Sequence, residues 1–165
     1  MPTPSLSIRE ARNDDDAAIW RILEPIIREG ATYTLPADLS ESDSLRYWRA
    51  AAHTVFVAES QGQIVGTYFL RPNQAGGGAH VANCGYMTAP WAGGRGIART
   101  MCMHSLDYAR AHGYRAMQFN FVVSTNERAV RLWQDCGFEI VGRLPLAFQH
   151  PLQGYVDALI MFRAL

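Results

Sequence analysis

The chain has 165 residues, which is enough for one domain, residues 1–165, with a sizeable core of its own. Hydrophobic residues make up 48% and charged residues 18%, as in ordinary soluble globular enzymes and unlike disordered or fibrous chains. Fifteen basic and fifteen acidic residues cancel, so no long-range field attracts nucleic acid or an anionic membrane, and neither is an expected partner.

The cysteines and the N-terminal segment indicate in which cellular compartment the protein is expected. Cys84, Cys102 and Cys136 are odd in number, far apart and set in apolar segments, a pattern that favours buried, reduced thiols. Residues 1–10 have neither the apolar core of a signal peptide nor the Arg/Ser-rich helix of a transit peptide. No apolar stretch approaches the roughly 20 residues that cross a bilayer. We therefore expect a soluble, cytoplasmic protein.

The first half of the chain predicts two helices and a hairpin after an initial strand. The predicted elements are a strand at Leu6–Arg9, a helix from Asn13 or Asp14, a helix that begins after Ser40 and carries Ala52, and strands at Thr54–Glu59 and Ile64–Leu70. Pro25 is expected to kink or shorten the first helix. Ser40 with Asp43 approximates a capping box for the second. The turn residues 60–63 predict an antiparallel hairpin.

In the second half, strands alternate singly with helices. A glycine-rich loop at Pro72–Gly78 precedes a strand at His80–Met87, a helix at Gly96–His112, a strand at Ala116–Val123, a helix at Asn126–Cys136, and strands near Glu139–Leu144 and Tyr155–Arg163. This alternation predicts parallel pairing here, in contrast to the antiparallel hairpins before it. The order βααβββαβαββ therefore predicts an α/β fold, a mixed sheet with helices on both faces.

Residues 86–99 form the most informative segment, Tyr-Met-Thr-Ala-Pro-Trp-Ala-Gly-Gly-Arg-Gly-Ile-Ala-Arg. A strand ends, three glycines surround an arginine, and a helix begins, so backbone N–H groups and a helix N-terminus point at one place, as at an anion site. Glycine lets a diphosphate approach the backbone closely. The fingerprints for a nucleoside triphosphate and for a dinucleotide are both absent. Taken alone, the loop is consistent with a diphosphate site or with a plain turn.

Two motifs of this sequence resemble those of the GNAT acetyltransferases. The family's pyrophosphate loop reads Gln/Arg-x-x-Gly-x-Gly/Ala after a strand, and Gly93–Ala98 lies in that register. The family's second signature, Asn-x-x-Ala-x-x-Leu-Tyr-x-x-x-Gly-Phe, is matched by Asn126–Phe138 with Trp133 at the tyrosine position. Both motifs occur in the family's order and spacing. The resemblance implies the GNAT fold, with a mostly antiparallel sheet and splayed parallel fourth and fifth strands.

The resemblance also implies a cofactor site for acetyl-CoA as co-substrate. The pantetheine arm would add like an extra strand between the fourth and fifth strands, on backbone groups of residues 87–89. The diphosphate would rest on the amides of residues 94–99. The cofactor-binding residues expected from the family are Met87, Thr88, Ala89, Gly94, Arg95, Gly96, Ile97, Ala98, Arg99, Asn126 and Trp133.

Two departures from the family pattern bear on the chemistry. Gly93 stands where the family has Gln or Arg, so one contact to the phosphates is missing, and Arg95 or Arg99 could supply charge instead. Trp133 stands at the frequent tyrosine, and an indole cannot protonate the leaving thiolate. A water or the substrate ammonium must then do so, or the thiolate leaves unassisted.

Three asparagines narrow the resemblance to particular branches of the GNAT family. Asn83, Asn120 and Asn126 resemble the set in a branch that acetylates proline analogues such as azetidine-2-carboxylate, where the matching asparagines are linked to recognition and catalysis. The segment 32–34 resembles the phosphinothricin and methionine-sulfoximine acetyltransferases, where it lines the amino-acid pocket. The resemblance implies Asn120 and Asn126 as catalytic residues, and Asn83, Tyr33 and Asn120 as substrate-binding residues.

Each of these residues also has a structural interpretation. Asn120, unusual inside a strand, either satisfies backbone groups where the sheet splays or orients the acceptor. Asn126 is a good helix N-cap, and capping and catalysis can coexist. For Asn83 both interpretations stay open. His150, in a loop before the last strand, either reaches the cleft or stays on the surface, and Asp157 is expected to form structural hydrogen bonds.

The predicted reaction is direct acetyl transfer within a ternary complex to the amine of a small, amino-acid-like acceptor. A backbone N–H, with help from Asn126, would stabilise the oxyanion. The fourth and fifth strands offer no carboxylate as general base, so a neutral amine or a water relay is required. No Cys/His cluster has zinc spacing, so no metal is expected. The alternatives are a peptide or protein N-acetyltransferase and a non-catalytic acyl-CoA-binding module. A homodimer is a further expectation.

Overall fold

The computed structural model describes residues 5–165. Residues 1–4 lie outside the described residues; they are part of the segment 1–10, in which the sequence predicts no targeting signal. The helices are α1 (Asp16–Glu29), α2 (Glu41–Trp48), α3 (Ile97–Ala111) and α4 (Glu127–Asp135). The strands are β1 (Leu6–Glu10), β2 (Thr54–Ser60), β3 (Gln63–Pro72), β4 (Val81–Thr88), β5 (Ala116–Val123), β6 (Glu139–His150) and β7 (Gly154–Ala164). The predicted element order is confirmed.

All these strands belong to a seven-stranded sheet of order β1-β2-β3-β4-β5-β7-β6. Strands β4 and β5 pair in parallel, whereas β1 to β4 pair antiparallel, as do β5 with β7 and β7 with β6. The prediction of parallel pairing in the second half is therefore confirmed for β4 and β5 and wrong for the last strands. The reason is that the β6–β7 hairpin folds back and inserts β7 beside β5. The predicted mixed α/β sheet is confirmed.

The parallel pairing of β4 with β5 is very short. It comprises Val81 opposite Ala116 and Ala82 opposite Met117, and then the strands separate. At the next position the side chain of Asn83 replaces the backbone ladder, because its Nδ2 donates to the Gln118 carbonyl oxygen at 2.9 Å. The predicted splay is therefore present and begins at Asn83.

Successive residues of β3 contact helices on opposite faces of the sheet. Thr67 Oγ1 accepts a hydrogen bond from Trp48 Nε1 of α2 at 3.0 Å. Tyr68 Oη lies 2.7 Å from His104 Nδ1 of α3. Because successive strand residues point to opposite faces, α2 covers one face and α3 the other. Among residues 5–165, no helix is both long and apolar enough to cross a membrane.

Several predicted boundaries differ from the observed ones. Helix α2 has the predicted Ser40 cap, whose Oγ accepts from Asp43 N at 3.1 Å, but it ends at Trp48 rather than carrying Ala52. There His53 N donates to Ala50 O at 2.8 Å in a turn that leads into β2. Pro25 lies inside α1 without ending it.

Strand β6 is longer than predicted. It continues past Leu144 to His150 through an irregularity in its pairing with β7, where Leu146 has a φ of 50°. Pro145 and Pro151 lie at the two ends of this stretch, and in a sequence such prolines usually indicate a loop. The predicted loop 149–154 is accordingly reduced to a tight hairpin turn.

Gly85 in β4 leaves room for two aromatic side chains that pack beneath the strand. An ideal Cβ at Gly85 would lie 2.7 Å from Phe69 Cε1 and 3.2 Å from Tyr33 Oη. The Phe69 ring cannot easily retreat, because it stacks on His53 at 4.0 Å between ring centroids and meets Trp48 edge-on at 4.9 Å. Gly85 thus fixes how closely this aromatic group approaches the sheet.

We predict that Gly85→Ala destabilises the fold. Overpacking of a well-filled site costs typically about 1–3 kcal/mol, since Phe69 has no free space to enter. Urea denaturation would measure the free energy of unfolding. Gly77→Ala is the control, because a Cβ there meets nothing within 4 Å. If the Gly85 variant unfolds at the same urea concentration as the Gly77 variant, the packing argument is wrong.

Candidate functional site

A cleft of about 1040 Å³ opens where β4 and β5 diverge. It collects every residue predicted for the site, although their roles remain predictions. The lining residues among those predicted are Tyr33, Asn83, Met87, Thr88, Ala89, Gly94, Arg95, Gly96, Ile97, Ala98, Arg99, Asn120, Asn126 and Trp133. Residues scattered from position 33 to position 133 are thus brought to one place by the splay.

The cleft has two halves, one on each face of the sheet. We call the first the acceptor half; it lies on the α1–α2 face and is lined by Glu29, Thr32, Tyr33, Thr34, Tyr47, Phe69, Arg71, Asn83 and Asn120. We call the second the cofactor half; it lies between the start of α3 and α4 and is lined by residues 93–99 and by Asn126, Ala129, Leu132, Trp133 and Asp135. The gap between β4 and β5 connects them.

The glycine loop of the cofactor half ends in a helix start that no side chain caps. Gly94 and Gly96 have φ values of 76° and 71°, in the left-handed region that glycine adopts readily. An ideal Cβ at either residue meets nothing within 4 Å. The first intrahelical bond runs from Thr100 N to Gly96 O at 3.0 Å, so the N–H groups of residues 97–99 face the cleft unpaired by any cap. This arrangement suits a diphosphate.

The two arginines of the loop have protein partners in this structure. Arg95 Nη2 donates to Ser60 Oγ at 3.0 Å, and Ser60 is buried at the β2–β3 turn. Arg99 Nη2 lies 2.9 Å from Asp135 Oδ2 of α4, and both side chains are exposed. That either arginine supplies the charge missing at Gly93 stays a prediction. The unpaired backbone N–H groups of residues 97–99 remain the donors that this loop presents to the cleft.

Trp133 forms one wall of the cofactor half and is also part of the core. It is buried, and its ring centroid lies 5.0 Å from that of Tyr86 and 5.1 Å from that of Phe119. The neighbouring Tyr86 hydroxyl is committed, since it lies 2.7 Å from Ser105 Oγ. Burial raises the pKa of the Tyr86 phenol well above its ordinary value. No free phenol thus takes the place of the family's tyrosine at this wall of the cleft.

Asn126 is the predicted N-cap of α4 and also lines the cleft. Its Oδ1 accepts from Ala129 N at 3.3 Å. Its Nδ2 has no hydrogen-bond partner among the side chains and backbone of residues 5–165 and stays available to a ligand. Both interpretations of this residue are therefore compatible in one conformation.

Asn83 and Asn120 belong to a hydrogen-bonded group at the floor of the acceptor half. Asn83 Oδ1 accepts from Arg71 Nε at 3.2 Å. Asn120 Oδ1 accepts from Gln118 Nε2 at 2.9 Å, and Asn120 Nδ2 donates to Asn73 Oδ1 at 2.7 Å. The structural interpretation of Asn83 holds in this structure, because its side chain bonds across the gap between β4 and β5. The structural interpretation of Asn120 expected it to bond backbone groups where the sheet splays, whereas it bonds the side-chain amides of Gln118 and Asn73.

Tyr33 reaches the sheet from the α1–α2 connector. Its hydroxyl donates to the Tyr86 carbonyl oxygen at 2.9 Å. Burial raises the pKa of the Tyr33 phenol, so it stays protonated and acts as a donor and not as a base. The residue therefore helps to shape the acceptor half.

Sequence reasoning missed two charged residues of the acceptor half, Arg71 near the end of β3 and Glu29 at the end of α1. Arg71 directly follows the predicted strand Ile64–Leu70, and extending that strand by one residue would place its side chain on the same face as Phe69, which is a usable signal. Nothing in the sequence marked Glu29. His150 and Asp157 lie outside the cleft. His150 Nδ1 accepts from Leu152 N at 3.1 Å, and Asp157 accepts from Arg143 Nη1 at 2.7 Å, as structural residues do.

Cys84 is the thiol that lines the cleft. It is buried, and burial raises the pKa of the Cys84 thiol to about 12. The thiolate is the nucleophilic form, so this cysteine is inert at neutral pH. The described residues include no group of three or more His, Cys, Asp or Glu side chains placed to hold a metal ion. The expectation of no metal cofactor stays a prediction.

The comparisons with known proteins agree with this geometry. Residues 18–138 match the acetyltransferase (GNAT) family. A GCN5-related N-acetyltransferase from Kribbella flavida is 38% identical with a TM-score of 0.92, over 97% of this chain and 98% of that one. The phosphinothricin acetyltransferase of Sinorhizobium meliloti, solved with acetyl-CoA, is 19% identical with a TM-score of 0.84, over 97% of this chain and 88% of that one.

A curated relative gives a partial match. The N-acetyltransferase aca1 of Schizosaccharomyces pombe is 32% identical over 98 residues, which are 59% of this chain and 47% of that protein. The chain spans less than half the length of the curated relatives that it matches.

The fold and the cleft are those of a GNAT acetyltransferase domain. This chain belongs to the GNAT family, because the family match covers most of its length. The predicted family and fold are confirmed.

We predict that Gly96→Val weakens CoA binding, because its side chain would fill the space over the helix start. Gly113→Val is the matched control at the other end of α3. Gly113 has a φ of 82° and also meets nothing within 4 Å, so both variants carry similar backbone strain. Isothermal titration calorimetry with CoA should show at least about a tenfold loss for Gly96→Val alone. Equal losses in the two variants would attribute the effect to strain.

Proposed function

We propose that this protein transfers the acetyl group of acetyl-CoA directly to the amino group of a small, amino-acid-like acceptor. The observation that carries the proposal is the cleft itself, whose cofactor half and acceptor half meet at the gap between β4 and β5. The names of two solved relatives, both phosphinothricin acetyltransferases, support an amino-acid-like acceptor.

Arg71 is the residue that supports a carboxylate on the acceptor. Its side chain is half-buried in the acceptor half, and its Nε is held by Asn83 at 3.2 Å. Among residues 5–165, no carboxylate forms a salt bridge with Arg71. A guanidinium offers two parallel donors that match a carboxylate, so the remaining Nη groups suit the acid group of an amino acid.

In the proposed reaction the neutral acceptor amine attacks the thioester carbonyl carbon of acetyl-CoA. A C–N bond forms, the C–S bond breaks, and CoA leaves as a thiolate that takes up a proton. The unpaired Nδ2 hydrogens of Asn126 lie at the cleft and can donate to the developing oxyanion. Glu29 at the rim of the acceptor half can accept the amine proton through water. The protonated thiol of Cys84 argues against a covalent acetyl-enzyme.

An amine panel tests the proposed function. Acetyl-CoA consumption would be followed with L-azetidine-2-carboxylate, L-methionine sulfoximine and phosphinothricin, with azetidine as the acceptor that lacks a carboxylate, and with short peptides. We expect turnover of at least one amino acid and little with azetidine. Turnover of peptides alone would favour a peptide N-acetyltransferase. CoA binding without any turnover would favour a non-catalytic acyl-CoA-binding module.

We predict that Arg71→Gln raises the KM of the amino-acid acceptor with a smaller change in kcat. Loss of a charged hydrogen bond costs roughly 1.5–3 kcal/mol, or about tenfold to a hundredfold. Steady-state kinetics would measure it, with the KM of acetyl-CoA unchanged. Arg115→Gln, an exposed position outside the cleft, removes the same charge as a control. An unchanged acceptor KM in Arg71→Gln would rule out the carboxylate contact.

We predict that substitutions of Asn126 distinguish its two roles, capping α4 and donating to the oxyanion. Asn126→Ala removes the cap, which costs about 1 kcal/mol of stability, and removes the oxyanion donor, which costs about 2–4 kcal/mol in kcat. Asn126→Ser keeps the cap and shortens the reach, so it should melt like the parent yet turn over slowly. Should Asn126→Ser be as active as the parent, the residue is a cap and has no part in the transition state.

The cytoplasmic location and the homodimer stay predictions. Exposed apolar side chains concentrate on the β6–β7 hairpin, and they support a protein contact there. These residues are Ile140, Val141, Leu144, Leu146, Leu152 and Tyr155.

A further inference from the structure

Three side-chain amides form a continuous hydrogen-bonded chain at the acceptor half. Gln118 Nε2 donates to Asn120 Oδ1 at 2.9 Å, and Asn120 Nδ2 donates to Asn73 Oδ1 at 2.7 Å. Asn120 lines the cleft, whereas Gln118 and Asn73 do not. The outer two amides therefore contact the site through Asn120 alone.

The backbone explains why Asn120 is free to join this chain. The pairing of β5 with β7 shifts register between Phe119 and Val122, so an extra residue bulges at Asn120 and Phe121. A bulge interrupts the ladder and re-aims the side chains next to it. Gln118 is meanwhile anchored at its carbonyl oxygen by Asn83 Nδ2 at 2.9 Å.

The chain runs in one direction in this structure. The Asn120 oxygen faces a donor, and its nitrogen faces an acceptor. Rotating this amide alone by half a turn, with Gln118 and Asn73 left in place, would set oxygen against the Asn73 oxygen and N–H against the Gln118 N–H. Each mismatch would replace a hydrogen bond with a repulsion. In the observed orientation one lone pair of Oδ1 and one hydrogen of Nδ2 remain unused by protein.

We propose that Gln118 and Asn73 are positioning residues that set the orientation of the Asn120 amide and thereby fix which end of it accepts from the acceptor amine and which end donates to the acceptor. This inference rests on the proposed function, in which Asn120 contacts the acceptor. An amine N–H requires the lone pair and a carboxylate requires the N–H, so a reversed amide would mismatch both.

Two isosteric substitutions provide a matched test. Gln118→Glu and Asn73→Asp each exchange a side-chain amide for a carboxylate and add the same negative charge. A carboxylate at residue 73 still accepts from Asn120 Nδ2, so the orientation is kept. A carboxylate at residue 118 cannot donate and instead attracts the Asn120 N–H, so the orientation reverses.

We predict that Gln118→Glu raises the acceptor KM by about tenfold or more, while Asn73→Asp changes it by less than about threefold. Steady-state kinetics would use whichever of L-azetidine-2-carboxylate and L-methionine sulfoximine the parent acetylates. The KM of acetyl-CoA and the Tm should stay near the parent values in both variants. Equal acceptor KM values in the two variants, or matching losses of Tm and kcat, would overturn the proposal.

A second readout does not depend on turnover. In protein labelled with ¹⁵N-asparagine, NOEs from the Asn120 side-chain N–H should still reach residue 73 in Asn73→Asp and should reach residue 118 in Gln118→Glu, where the amide turns. If the parent acetylates no amino acid of the panel above, the proposed function fails at that step, and the amide spectrum still tests the positioning. Asn120 N–H groups with the same neighbours in both variants would show that the chain sets no orientation.

Discussion

The separation of β4 from β5 after two residue pairs is the constraint on which the rest of the structure depends. A parallel pair normally continues its ladder, because unpaired backbone groups are costly when they are buried. Here the Asn83 side chain takes the place of the ladder bond to Gln118, so the strands can part without an orphaned carbonyl. The polar edges beyond that point face an open cleft, where solvent or a ligand can satisfy them.

The opening makes the two faces of one sheet into two halves of one site. Helix α3 packs on one face so that its uncapped N-terminus lies at the gap, and the α1–α2 connector brings Tyr33 to the other face. An anionic cofactor and a small acceptor can then enter from opposite sides and meet without competing for the same surface. This geometry favours direct transfer, since the reacting groups approach within one cavity. A buried Cys84, held protonated by its surroundings, adds no competing nucleophile.

Much of the fold could be predicted from the sequence, because local patterns determine it. Helical periodicity, the Ser40 cap and the glycine punctuation located the helices and strands, and two motifs located the cofactor half. The errors arose where tertiary contacts override local signals. Pro145 and Pro151 look like loop residues yet belong to or flank β6, because pairing with β7 holds that strand extended through an irregularity. The insertion of β7 beside β5 likewise depends on how a hairpin folds back, which no local pattern states.

The acceptor half was harder to predict for a related reason. Its charged groups come from separate elements, Arg71 from β3 and Glu29 from α1. Asn73, which bonds to it from outside the cleft, lies in the loop after β3. None of them belongs to a motif, and each is an ordinary surface residue by its sequence neighbours. Asn120 was conspicuous because asparagine is disfavoured in a strand. Its two amide partners could not be identified from the sequence, because Asn120 reaches them only through a bulge in β5. The proposed cofactor half thus comes largely from contiguous sequence, whereas the proposed acceptor half depends on contacts between distant segments. On the proposed function, acceptor preference can therefore change through a few scattered side chains while the glycine loop and the helix start stay the same.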